Sequence, residues 1–208
     1  MKRQVKPVWG KSAGELELVD DCETPMVIPG GSSSPTTNNH IFFYKDVDED
    51  SVVDLNNKIL STRSNILKSA LDFDLNGNDI PIHLHIHSWG GSLLAGFAAS
   101  GMIARNNVHT HIEGAAASAA TFLSICGRHR TITHQSFIMI HQLSAGFWGK
   151  HAEIEDWQKN MDRFMDTTVR MYIEHTKVPK RKLREILKHD LWFSAEEALR
   201  YGLVDEIL

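Results

Sequence analysis

Apolar and polar side chains alternate between residues 80 and 87. The apolar positions are Ile80, Ile82, Leu84 and Ile86, which alternate with Pro81, His83, His85 and His87. A period of two predicts a β-strand with one face in the core. Pro81 is compatible with this strand because it lies near the start, and the pair Gly90-Gly91 follows the end of the strand.

Apolar runs and helical stripes predict the other elements from residue 41 onward. Further strands are predicted at 41–44, 108–112, 131–133 and 137–140. Helices are predicted at about 48–70, 93–104, 152–175 and 180–187, and a short apolar helix is predicted to follow the small-residue run 114–120. A capping box at 194–197 starts the last helix. Strands that alternate with helices predict an α/β fold with a mostly parallel sheet.

Residues 1–40 differ in composition from the rest of the chain. They contain four prolines, the pair Gly30-Gly31 and the serine run 32–34, and they lack periodicity. This composition predicts an irregular N-terminal arm, either a plain disordered tail or an ordered arm that contacts a partner. Residues 41–208 are expected to form one domain, because neither a fixed repeat nor a second linker interrupts them.

Composition narrows the class of protein. Of the 208 residues, 42% are hydrophobic and 23% are charged, and the net charge is -4. These values are typical of a soluble globular protein and exclude collagen-like, fully disordered and membrane-embedded chains. The weakly acidic balance favours neither nucleic acid nor a membrane surface as a partner. Only Cys22 and Cys126 are present, and no apolar export signal follows Met1, so a reducing cytoplasmic compartment is expected.

Two strand-to-helix junctions are rich in small residues, at 90–91 and at 114–120. In a parallel sheet such junctions lie at the carboxyl ends of the strands, where ligands bind. The start of a helix there offers unpaired backbone N–H groups. Two adjacent junctions can direct two N–H donors at one oxygen, which is the requirement for an oxyanion hole.

Ser118 lies in the second of these junctions. A serine at such a position is often only a helix cap, but it can also be a nucleophile if a base lies nearby. The other serines considered for that role do not lie in a small-residue turn that opens onto a helix; they are Ser124, Ser136 and Ser144.

His141 and Asp190 are the candidates for the base and its partner. His141 ends the apolar strand 137–140, so it is expected at the same sheet edge as Ser118. Asp190 precedes Leu191-Trp192-Phe193, and an acid beside aromatic side chains can be partly buried and can orient an imidazole. A loop histidine and a solvated aspartate are the alternatives.

His83, His85 and His87 share one face of the predicted strand. That spacing suits either one zinc ion or a set of neutral imidazoles that pack and hydrogen-bond on the sheet. The run contains neither cysteine nor glutamate, which favours packing.

Five segments stand in a distinctive order along the chain. They are Ile-His-Ser-Trp-Gly-Gly at 86–91, Gly-Ala-Ala-Ala-Ser at 114–118, Met-Ile-His-Gln at 139–142, Asp-Leu-Trp-Phe-Ser-Ala at 190–195 and Tyr-Gly-Leu-Val-Asp at 201–205. Together they resemble the ClpP family of serine peptidases, including the shorter ClpP-like proteins of bacteriophages. The chain departs from the family pattern at Trp89, where proline is usual, at Ala115, where glutamine is usual, and at Ala119-Ala120, where Met-Gly is usual.

The resemblance implies a ClpP/crotonase-like fold with βαβ units and a protruding handle helix at about 142–175. It implies a catalytic triad of Ser118, His141 and Asp190, and an oxyanion hole from the backbone N–H groups of Gly91 and Ala119. It implies no metal or other cofactor. Its implied partners are unfolded polypeptides or peptides as substrates, further copies in stacked heptameric rings, and an AAA+ unfoldase related to ClpX, ClpA or ClpC.

Two alternatives remain open from the sequence. The first is a catalytically weak or inactive ring subunit that binds partners, which the substituted turns favour. The second is an acyl-CoA enzyme of the related crotonase fold, which uses the same pair of junctions to stabilise an enolate and has no triad.

Overall fold

The computed structural model describes residues 39–208, so nearly all of the predicted N-terminal arm lies outside the described part. Seven strands are present in this part: β1 (His40–Phe43), β2 (Ile82–Ser88), β3 (Val108–Ala117), β4 (Arg130–Ile132), β5 (Phe137–Ile140), β6 (Leu191–Phe193) and β7 (Glu206–Ile207). The α-helices are α1 (Glu49–Asp72), α2 (Leu93–Arg105), α3 (Ala120–Ile125), α4 (His151–His175), α5 (Lys180–Ile186) and α6 (Ala195–Arg200). A 3₁₀ turn covers Gly77–Asp79.

The sheet is almost entirely parallel. Its main path runs β1-β2-β3-β4-β7, and β5 joins β3 as a branch. Only β6 is antiparallel, and it pairs with β5. The predicted α/β class with a mostly parallel sheet is therefore confirmed. The alternation in β2 has its expected effect, because Ile82, Leu84 and Ile86 are fully buried in the core.

The strand β3 is longer than predicted. The small-residue run was expected to lead into a helix, but β3 continues through Ala117, and α3 begins only at Ala120. The alanines remain extended because they pair with β5 on one side, from Ala115 to Ala117. This extension carries the chain to the sheet edge, where Ser118 forms the turn.

The segment 191–193 is also a strand, which the sequence pattern did not predict. Its register against β5 pairs Ile140 with Leu191 and Met139 with Trp192. Three residues with mixed exposure carry too little alternation to distinguish a strand from a loop.

Helix α4 is attached to the domain mainly through its C-terminal half. Its buried residues are Thr168, Val169 and Tyr172, and the hydroxyl of Tyr172 hydrogen-bonds to Thr121 at the start of α3. The first turns of the helix are exposed, as is Trp148 just before them, at 96%. Such a helix projects from the domain, which agrees with the expected handle.

Histidines of three strands contact each other on the face of the sheet opposite the core. The Nδ1 atom of His83 lies 2.8 Å from Nε2 of His111, and Nδ1 of His40 lies 2.8 Å from Nε2 of His85. The rings of His83 and His111 are stacked. In the part of the chain that the structure describes, no group of three or more metal-ligating side chains is placed to hold an ion. These contacts favour the packing alternative for the histidines.

This histidine cluster is expected to make the free energy of unfolding depend on pH. Burial lowers the pKa of His83 and His109, and it lowers the pKa of His111 to about 4. Unfolded histidines titrate near 6.5, so below that pH the unfolded chain binds more protons than the folded chain. The free energy of unfolding is therefore expected to fall as the pH drops from about 6.5 towards 4.

Denaturant unfolding at pH 7.5 and at pH 5 measures this effect. In the His111→Asn variant the difference between the two pH values is expected to be smaller than in the wild type, because one depressed imidazole is gone. If the free energy of unfolding changed equally between the two pH values in both proteins, His111 would not contribute to the pH dependence.

Candidate active site

Ser118 occupies the turn between β3 and α3 in a left-handed backbone conformation, with φ of 53°. Its N–H donates to the carbonyl of Met139 at 2.9 Å, and its own carbonyl accepts from the N–H of Thr121 at 3.0 Å. A residue other than glycine is rarely left-handed, and such strain is frequent at active sites. The turn presents the serine hydroxyl at the carboxyl edge of the sheet, as a nucleophile elbow does.

His141 lies beside this hydroxyl. Its Nε2 atom is 2.7 Å from Oγ of Ser118, which is hydrogen-bond distance for a nucleophile and its base. Two neighbouring strands bring the pair together, since β5 runs parallel to the end of β3 and His141 directly follows β5. The next residue, Gln142, donates its N–H to the carbonyl of Leu187 at 2.6 Å and so fixes the chain behind the imidazole.

Asp190 lies on the other side of His141. The antiparallel pairing of Ile140 with Leu191 places the residues just beyond them opposite each other. The Oδ1 atom of Asp190 lies 3.3 Å from Nδ1 of His141, but its side chain is 77% exposed. Of the two alternatives for Asp190, the solvent-exposed aspartate is the one observed, because the adjacent Leu191 and Trp192 are themselves partly exposed and do not cover the carboxylate.

The glycine turn after β2 packs directly against the serine turn. Gly90 has φ of 97°, and a Cβ atom there would lie 2.6 Å from the carbonyl oxygen of Ala117 and from Cβ of Ser118. Val47 holds this turn from the other side, because its N–H donates to the carbonyl of Gly90 and its carbonyl accepts from the N–H of Ser92, both at 2.7 Å. The two junctions predicted to cooperate are thus in contact.

The expected oxyanion donors, Gly91 and Ala119, belong to these two turns. Within residues 39–208, neither backbone N–H donates to another protein group. Gly91 forms a bridge with Val47, and Ala119 lies at the start of α3 without a side-chain cap. Unpaired N–H groups beside a serine hydroxyl are suited to bind a developing oxyanion.

The three rival serines lie elsewhere. Ser124 is buried in α3, and its hydroxyl finds no hydrogen-bond partner in the described region. Ser136 is buried and accepts from the N–H of Gly114. Ser144 lies in the irregular segment between β5 and α4. Within residues 39–208, none of the three hydroxyls hydrogen-bonds to an imidazole nitrogen.

An apolar cavity of about 480 Å³, which the sequence pattern did not predict, lies next to the elements that carry the site. Its lining residues are His87, Trp89, Gly114, Ala115, Phe137 and Trp192. The rings of Trp89 and Trp192 meet edge to face at 5.7 Å. The exposed aromatic residues in the glycine turn and after Asp190 were the available signal for this cavity.

The comparisons with known proteins agree with this geometry. The family model for Clp protease matches residues 36–208. An ATP-dependent Clp protease proteolytic subunit of Deinococcus radiodurans is 34% identical over 149 residues, which cover 70% of this chain and 73% of that protein. A protein of the same name from Dehalococcoides mccartyi is 31% identical over 189 residues, which cover 88% of this chain and 93% of that protein.

Among solved structures, a ClpP1 variant from Listeria monocytogenes superposes with a TM-score of 0.70. The alignment covers 83% of this chain and 91% of that one, at 24% identity, and it shows that the fold is shared. The family match spans all the elements that carry Ser118, His141 and Asp190. The chain belongs to the Clp protease family.

Proposed function

We propose that the protein is a serine endopeptidase with Ser118 as nucleophile, His141 as general base and Asp190 as the group that orients the imidazole. The observation that carries the proposal is the 2.7 Å contact between Oγ of Ser118 and Nε2 of His141. Membership of the Clp protease family favours peptide hydrolysis over the acyl-CoA chemistry of a crotonase-type enzyme.

The proposed mechanism assigns one role to each of these groups. His141 removes the proton of Ser118 as the hydroxyl oxygen attacks the peptide carbonyl, and it later gives the proton to the leaving amine. The N–H groups of Gly91 and Ala119 stabilise the oxyanion, and one such donor contributes about 3–4 kcal/mol. Water then hydrolyses the acyl-enzyme with His141 again acting as the base. No step requires a metal or an organic cofactor.

The exposure of Asp190 limits its expected contribution to the rate of hydrolysis. Solvent screens the attraction between an exposed carboxylate and an imidazolium. The Asp190→Ala variant is expected to lose about 10²-fold in kcat/KM, less than the roughly 10⁴-fold loss seen where a buried aspartate is replaced. Steady-state hydrolysis of a fluorogenic peptide measures this loss. A 10⁴-fold loss would indicate that Asp190 is buried in the active enzyme, for example after assembly.

Assembly into stacked heptameric rings is part of the proposal. The exposed first half of α4 and the exposed Trp148 provide apolar surface for contact between rings. A closed chamber would admit peptides and unfolded chains but not folded proteins, and an AAA+ unfoldase would supply the unfolded chains. We place this activity in the cytoplasm. Within residues 39–208, none of the helices is long and apolar enough to cross a membrane.

Peptide hydrolysis measured together with the size of the assembly tests the proposed function. The purified protein is expected to sediment as an oligomer and to release the fluorophore from short peptides. An oligomer that cleaves no peptide, alone or with an unfoldase, would contradict the proposal and support the alternative of an inactive ring subunit.

A further inference from the structure

The strands β2 and β3 lose their register just before Ser118. Ile86 pairs with Ile112, but the next pair is Ser88 with Ala116. Two steps along β2 therefore correspond to four steps along β3, so β3 contains a bulge at residues 113–115. Gly114 adopts φ of 93° inside this bulge, a conformation that favours glycine.

Side chains from both neighbouring segments bind the backbone of the bulge. The N–H of Ala115 donates to Nδ1 of His87 at 3.1 Å, and the N–H of Gly114 donates to Oγ of Ser136 at 2.5 Å. The bulge takes the N–H of Ala115 out of the ladder with β2, and a buried backbone N–H without an acceptor is costly. The N–H of Gly114 is directed at the segment between β4 and β5, which contains Ser136. His87 and Ser136 supply the missing acceptors.

Both side chains are themselves held in place. A Cβ atom on Gly114 would lie 2.6 Å from Nδ1 of His87, so the imidazole packs directly on the glycine. Ser136 is fully buried, and its Oγ lies 2.6 Å from Oγ1 of Thr133. Ser136 lies outside the proposed triad, and its buried hydroxyl has the N–H of Gly114 in the bulge as a hydrogen-bond partner.

The bulge sets the direction of the nucleophile. Ala115 to Ala117 pair with β5, and the N–H of Ser118 continues that pairing to Met139. A slip of one residue in β3 would turn every following side chain to the other face of the sheet. The position of the Ser118 hydroxyl relative to His141 therefore depends on the position of the bulge in β3.

We propose that His87 and Ser136 are positioning residues that hold the β3 bulge in register and thereby direct the Ser118 hydroxyl at His141. This inference rests on the proposed peptidase function for its effect on rate, but not for its effect on the backbone. His87 acts through an unprotonated Nδ1 atom, so its ring carries the proton on Nε2. Any side chain that offers an acceptor at the same place is expected to substitute for it.

Two variants at position 87 distinguish the effect of the hydrogen-bond acceptor from the effect of the space that the ring fills. In His87→Asn the amide oxygen takes the place of Nδ1, whereas His87→Leu fills the space without an acceptor. His83→Leu is the matched control, because His83 lies on the same face of β2 but hydrogen-bonds to the side chain of His111. Ser136→Ala tests the second acceptor if His87→Leu does not fold.

Hydrogen exchange and peptide hydrolysis are measured on the same samples. His87→Leu is expected to exchange the Ala115 amide at least tenfold faster and to lower kcat about tenfold or more with little change in KM. His87→Asn is expected to stay within about threefold of the wild type on both measures, and so is His83→Leu. Ser136→Ala is expected to accelerate exchange at Gly114 and to lower kcat.

Each result has a distinct meaning. Equal losses in His87→Asn and His87→Leu, or wild-type kcat in His87→Leu and Ser136→Ala, would overturn the inference. A wild-type protein that cleaves no peptide would overturn the proposed function instead, and the exchange rate at Ala115 would still show whether His87 holds the bulge.

Discussion

Replacement of Ser118 by alanine is expected to lower kcat/KM for peptide hydrolysis by about 10⁴-fold or more, to the residual rate that binding and the oxyanion donors support. The reason is that Oγ of Ser118 is the atom that forms the acyl-enzyme in the proposed mechanism. His141→Ala is expected to lose a similar factor, because Nε2 of His141, 2.7 Å from that oxygen, is the base for the same step.

The double variant provides an internal check on this prediction. Two residues that act as one unit give non-additive losses, so Ser118→Ala with His141→Ala is expected to be no slower than either single variant. Both substitutions shorten side chains at the sheet edge, so thermal unfolding and the assembled size are expected to stay close to wild type. Losses that multiply in the double variant would mean that the two residues do not act together.

Replacement of Gly90 by alanine is expected to have the second largest effect. The new Cβ would lie 2.6 Å from the carbonyl oxygen of Ala117 and from Cβ of Ser118, and both atoms belong to or adjoin the backbone of the serine turn. The left-handed φ of 97° adds strain of about 1–2 kcal/mol for any residue with a side chain. The two turns must separate, which moves the N–H groups of Ala119 and Gly91 away from the oxygen that they bind in the proposed mechanism.

The expected result for Gly90→Ala is a loss of at least about 2 kcal/mol in the free energy of unfolding and of about 10²-fold or more in kcat. Gly101→Ala is the matched control, because Gly101 lies inside α2 and the nearest atom to its Cβ would be Nη1 of Arg105 at 3.8 Å. That control is expected to leave kcat unchanged and to stabilise the helix by about 0.5–1 kcal/mol. A Gly90→Ala protein with wild-type stability and rate would show that the two turns do not need close contact.

Periodicity predicted the elements that lie deep in the fold. The alternation in β2 indicated a strand because the two faces of the sheet differ in burial, with Ile82, Leu84 and Ile86 in the core and the histidines half-buried on the other face. The capping box at Ser194 and Glu197 likewise marked the start of α6 through local hydrogen bonds. Signals of this kind depend only on residues that are near each other in the chain.

The features that periodicity missed depend on contacts between distant segments. The strand β3 extends to Ala117 because β5 pairs with it, and a run of alanines has no periodicity of its own. The exposure of Asp190 depends on what covers it, and the neighbouring aromatic residues left both a buried and a solvated carboxylate open. The acceptor role of His87 required the bulge, which only the register between β2 and β3 shows.

Prediction of the candidate site used local sequence patterns together with the order of distant segments. The small-residue junctions and the strand before His141 indicated one sheet edge from the order of elements, and the resemblance to the ClpP family assigned the roles. The 2.7 Å and 3.3 Å contacts of His141 now place Ser118 and Asp190 on its two nitrogens.

Covalent labelling with a fluorophosphonate, followed by mass spectrometry of the digested protein, is the most direct test of Ser118 as an activated nucleophile. The reagent is expected to modify wild-type protein on Ser118 alone among the 208 residues, and labelling is expected to disappear in Ser118→Ala and to fall sharply in His141→Ala. Protein that takes up no label, or that carries it on another serine such as Ser144, would contradict the proposed triad.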